Sequence, residues 1–134
     1  MEYVLVSNNP DVIQKAKEER WLEVKEVPGG VKEVLREALA LLYRGYKMIS
    51  HPLMGSIKPW ENPYRSILLG KIPKPLPGRM ILLLDRTIQK LEEREKAGLV
   101  VTEGSYPEKV LADFRFLDGE LIRQAIDRIR ETAI

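Results

Sequence analysis

Apolar strand-forming runs alternate with helical patterns through the first half of this chain, and the links between them are short. That rhythm narrows the possible folds more than any other feature. Strands interleaved with helices collect into one sheet with helices on its faces, and a helix between two strands normally makes them parallel. Tyr3-Val4-Leu5-Val6 reads as a buried strand. Asn9 is a good helix cap and Pro10 suits a first helical position, so a helix should run from Pro10 to about Glu19. Trp21 to Val27 reads as a second strand, stopped by Pro28-Gly29-Gly30. Val31 to Arg44 is the clearest helix, with Val31, Val34, Leu35, Ala38, Leu39, Leu42 and Tyr43 at helical spacing and Gly45 as its stop. Tyr46 to Ser50 and Ser66 to Leu69 read as strands three and four.

The expected fold is therefore α/β, one domain over 1–134. It has three α/β/α layers, a small mostly parallel sheet of flavodoxin or Rossmann type in the order 2-1-3-4, and a helical C-terminal half. Ile81, Leu84, Ile88 and Leu91 mark a helix ending near Gly98, although Met80 to Leu84 also suits a strand. Ser105-Tyr106-Pro107-Glu108 resembles a capping box that opens a short helix, and Asp118 is placed to cap the last one. Residues 71–78 form a proline-rich connector.

Composition excludes several chemistries. With no cysteine, the chain has no disulfide, zinc–cysteine site or thiol nucleophile. A net charge of +2 with interspersed signs disfavours nucleic acid. No apolar run reaches the ~18 residues of a membrane span and no signal peptide is visible, so a cytoplasmic setting is expected. Neither a cofactor nor a metal is expected, since a lone histidine has no second imidazole or thiolate to complete a site.

In the expected sheet, the loops leaving strands one and three meet at a switch point, where ligands of open α/β sheets bind. These are the two unusual loops of the sequence. The first, Ser7-Asn8-Asn9-Pro10, ends on a helix N-terminus, which favours an anion; the same asparagines also suit a plain turn and cap. The second runs from His51 to Ser66 and holds the only histidine and three prolines. Gly55 permits close backbone approach, and Ser56 and Lys58 can hold a phosphate or carboxylate oxygen, but the Walker spacing is absent. His51 can be an acid–base group or a loop-locking imidazole. Arg65 can grip a carboxylate or make a surface ion pair, Asn62 and Tyr64 close the loop, and Trp60 stands at its tip or folds beneath it. Serine-hydrolase chemistry lacks both its elbow and a relay. The candidate ligand-binding set is Asn8, Asn9, His51, Gly55, Ser56, Lys58, Asn62, Tyr64 and Arg65, with His51 the catalytic residue if the chain is an enzyme; the reading leans away from catalysis.

At these residues the chain resembles the GrdX-like family, small proteins encoded beside components of the glycine, sarcosine and betaine reductases of anaerobic bacteria. The resemblance rests on Ser7-Asn8-Asn9-Pro10, Gly45-Tyr46-Lys47, His51-Pro52-Leu53-Met54-Gly55-Ser56-Ile57-Lys58-Pro59 and Asn62-Pro63-Tyr64-Arg65-Ser66. It is close over the first half and loosens after Gly70. It implies an accessory role in anaerobic amino-acid reduction. The expected partner is a small anionic metabolite, or alternatively a reductase component for which the chain is an interaction or assembly factor.

Overall fold

The computed structural model describes residues 2–51, 58–73 and 75–133. Strand β1 (Tyr3–Ser7) leads into helix α1 (Pro10–Ala16), strand β2 (Leu22–Glu26), helix α2 (Val31–Tyr43), and strands β3 (Tyr46–Met48) and β4 (Ser66–Lys71). Helix α3 (Gly78–Lys96), a 3₁₀ turn at Glu103–Ser105 and helix α4 (Glu108–Ala133) complete the order. The local signals act as their chemistry requires. Asn9 Oδ1 accepts the Asp11 N–H at the head of α1, and Glu33 Oε2 accepts the Gly30 N–H at the head of α2.

The sheet corrects the expected topology. Its order is β2-β1-β4-β3, and only β1 and β2 run parallel. Strand β4 lies between β1 and β3 and is antiparallel to both. The sheet is therefore mixed, not mostly parallel and not of flavodoxin type. Two physical causes explain the difference. A parallel return from β3 would need a crossover, usually a helix, and the connection to β4 has none among its described residues. The two strands most in need of burial also take the centre: Val4, Leu5, Val6, Ile67, Leu68 and Leu69 are all buried, whereas β2 is half-exposed and β3 has three residues.

Side chains alternate across these central strands and build two cores. Val4, Val6, Ile67 and Leu69 pack with α2 and α3, and Trp60 is half-buried at the margin of this cluster. Leu5 and Leu68 pack with α1 and with Ile122, Ala125 and Ile126 of α4. In the second half Met80 to Leu84 takes the helical alternative, and Thr102 caps the 3₁₀ turn. One expectation is corrected: the short helix and the last helix are a single α4 that passes through Asp118 without a cap there. No helix among the described residues is long and apolar enough to cross a membrane.

Candidate functional site

Strands β1 and β3 are not neighbours, so the switch point expected between them does not exist. Another contact takes its place. Because β4 runs antiparallel beside β1, Ser7 at the end of β1 pairs with Ser66 at the start of β4. The Asn8-Asn9 turn therefore meets the last residues of the long connection, Asn62 to Arg65, rather than its beginning at His51.

A buried polar chain joins this edge to α4. The Asp118 carboxylate accepts the Ser66 N–H (2.9 Å), the Ser66 hydroxyl (2.7 Å) and one Asn9 amide hydrogen (3.0 Å). Since Ser66 gives its proton to Asp118, the Ser7 hydroxyl donates to Ser66 Oγ across 2.7 Å, and Ser7 Oγ in turn accepts the Asn9 N–H. Burial pushes the Asp118 carboxyl above its ordinary value, against the opposing pull of Ser66, Asn9 and the Arg65 charge. Arg65 is itself buried, and burial moves its guanidinium down, opposed by the charge of Asp118.

Asn8 clamps the loops directly. Its Nδ2 donates to the carbonyls of Gly29 (3.0 Å) and Pro63 (2.9 Å), and its Oδ1 accepts the Arg65 N–H (2.8 Å). Asn62 Oδ1 accepts the Tyr64 N–H, and Asn62 Nδ2 donates to the Phe114 carbonyl. The Tyr64 hydroxyl donates to Glu103 Oε2 (2.7 Å) and accepts from Arg115 Nη1 (3.0 Å). Burial, helped by Glu103, raises the Tyr64 phenol, while Arg115 acts the other way. Arg115 also pairs with Asp11 and Glu108.

The structure thus gathers Asn8, Asn9, Asn62, Tyr64 and Arg65, and the amides of Asn8 and Asn9 are spent on bonds within the protein. Lys58 lies elsewhere. His51 is exposed, and Gly55 and Ser56 lie outside the described residues. Reading the sequence missed Asp118, Glu103 and Arg115 as partners of these loops. One signal pointed to Asp118: it sits on the same helical stripe as Ile122, Ala125 and Ile129, a face that turns inward.

Lys58 instead joins a cationic corner. Its Nζ is 5.6 Å from the centroid of the Trp60 ring, with Lys90 Nζ at 5.1 Å and the Arg94 guanidinium at 4.6 Å. None of the three has an ion pair among the described residues, and the buried Arg94 Nε has no hydrogen-bond acceptor there. Next to the corner, Pro59, Pro63 and Leu91 help to line a groove of about 380 Å³ that reaches Gly29, Gly30 and Val101. The carboxylates on its wall are already engaged: Glu33 with Gly30 N–H, Glu95 with Lys32 and Glu103 with Tyr64. Among the described residues no group of three or more acidic or histidine side chains is placed to hold a metal ion.

The fold and this edge define a small mixed-sheet α/β protein with a cross-linked pair of loops and a cationic corner beside them. The chain belongs to the GrdX-like family: the family model described as GrdX-like protein matches residues 4–127. No curated protein and no solved structure matches it.

Proposed function

We propose that this GrdX-like chain is an accessory binding protein of anaerobic glycine, sarcosine or betaine reductase systems that holds a small anionic metabolite at the corner made by Lys58, Lys90 and Arg94. The observation that carries this reading is the convergence of three cations on the Trp60 ring. Each cation gains about 0.5–1 kcal/mol from an exposed aromatic face, but three like charges on one ring also repel one another. An anion among them relieves that repulsion and supplies an acceptor to Arg94 Nε, a buried donor that costs about 1–3 kcal/mol while unsatisfied.

In this reading Asn8, Asn9, Asn62, Tyr64 and Arg65 hold the loop that carries Lys58 and Trp60, and they do not touch the ligand. His51 precedes Lys58 in the chain and is a further candidate by sequence, as are Gly55 and Ser56, which lie outside the described residues. A thermal-shift series with inorganic phosphate, acetyl phosphate, glycine, sarcosine and betaine tests the proposal. A ligand bound only by the native state raises the midpoint. The expected result is a rise with an anion for the wild type, absent in Lys58→Ala. Equal rises in both proteins, or no rise with any anion, overturn it.

A further inference from the structure

The basic character of the corner does not stop at Arg94. Going back along α3, Lys90, Arg86 and Arg79 follow at intervals of four, four and seven residues. That spacing keeps Arg79, Arg86, Lys90 and Arg94 on one stripe of the helix, ~22 Å long at the helical rise per residue. Arg79, Arg86 and Lys90 are exposed. No member of the stripe has an ion pair among the described residues. Seven cations outside the stripe, Lys17, Lys25, Lys32, Arg36, Arg115, Arg123 and Arg130, have carboxylate partners among the described residues.

The charges of α3 are segregated about its buried face. Glu92 and Glu95 point to the flank that meets α2, where they pair with Arg36 and Lys32. The stripe occupies the other flank. Glu93 borders it and has no ion pair with its members among the described residues. The stripe is not purely polar: half-buried Leu83 falls within its period, and half-buried Trp60 lies against its C-terminal end. Apolar side chains set among cations suit a protein-binding patch, in which aromatic and arginine side chains are the usual anchors.

We infer that this flank of α3 docks an acidic protein surface that carries apolar side chains between its carboxylates. The carboxylates complement Arg79, Arg86 and Lys90, and the apolar groups meet Leu83 and the edge of Trp60. A protein fits better than a nucleic acid, because the chain as a whole carries a charge of only +2 and the stripe is interrupted by an aliphatic side chain. The inference does not depend on the small-anion reading, since Arg79 and Arg86 lie beyond the corner.

The test is a titration of the full chain, isotopically labelled, with a short synthetic peptide of repeating Glu-Glu-Leu-Glu, followed by amide chemical shifts. The expected shifts fall on α3 and Trp60, and binding weakens as salt rises. The double variant Arg79→Glu/Arg86→Glu should weaken binding about tenfold. The control Lys109→Glu/Arg128→Glu, which reverses two exposed cations of α4 that have no ion pair among the described residues, should leave it within about twofold. Equal weakening in both variants, no binding of the peptide, or tighter binding of a single-stranded oligonucleotide to the same stripe overturns the inference. Loss of the phosphate-induced thermal shift in Lys58→Ala with peptide binding intact, or the reverse, separates this surface from the small-anion site.

Discussion

Asp118 and Ser66, 52 residues apart in the chain, are joined twice: one carboxylate takes both the backbone N–H and the hydroxyl of the same serine, at 2.9 and 2.7 Å. This pair ties the last helix to the first residue of a central strand. Asn9 and Ser7 extend the tie to the neighbouring strand and to the head of α1. Removing the carboxylate leaves three buried donors and the Arg65 charge without it. Asp118→Ala is expected to cost roughly 3–5 kcal/mol in urea denaturation, a large share of the stability of a small domain.

The same carboxyl sets a pH dependence. Burial raises its native pKa above the unfolded value. A group raised in this way contributes stability fully below its unfolded pKa and loses that contribution as pH rises through the native value. The stability of the wild type relative to Asp118→Asn is therefore expected to be greatest below pH ~4 and to fall as pH rises through the raised native value. Urea titrations of both proteins across that range measure it, and a difference that grows with pH contradicts the assignment.

Tyr64 offers a second, independent reporter. Its hydroxyl bridges Glu103 and Arg115, so Tyr64→Phe should lose about 1–2 kcal/mol while keeping the packing of the ring. Burial raises the phenol, so it should ionise above pH ~10 in an ultraviolet titration. By the same sign rule, its stabilising contribution is complete below the unfolded value and disappears as pH climbs through the native one.

Asn8 holds three backbone groups from two loops, at Gly29, Pro63 and Arg65. Asn8→Ala should cost about 1–3 kcal/mol and should speed hydrogen exchange at the Arg65 amide more than at the amides of α3. Uniform acceleration along the chain counts against a local clamp.

Gly70 lies in β4 with the Tyr3 ring 3.1 Å from where a Cβ would stand and Ile49 Cδ1 at 3.3 Å. Gly70→Ala should therefore destabilise the fold by about 1–3 kcal/mol through crowding, despite the general gain from replacing glycine. A thermal midpoint of Gly70→Ala at or above that of the wild type contradicts this.

The local signals identified the elements. The regular apolar spacing from Val31 to Leu42 describes α2, and Asn9-Pro10 marks where α1 begins. The helix after the proline-rich connector was legible from Leu84, Ile88 and Leu91, though not its start at Gly78. The loops were legible as unusual, but not their partners. Lys58 was singled out without Lys90 and Arg94, because those cations lie more than thirty positions away on a helix whose orientation nothing local reveals. Asp118 looked like a cap because aspartate commonly caps, and only the approach of Ser66 and Asn9 makes it a buried acceptor.

What the sequence determined by itself was therefore where most helices and strands lie and which of their apolar positions face inward, since these follow from spacing, capping groups and apolar periodicity within a few residues. The tertiary structure alone decided that β4 enters between β1 and β3 and runs against both. Strand direction and order are set by competition among distant segments for the fully buried centre of the sheet, and Ile67-Leu68-Leu69 wins that place beside Val4-Leu5-Val6 because both runs need cover on two faces. That choice brings Ser66 to Ser7, and with it the loops, α4 and Asp118 to one edge.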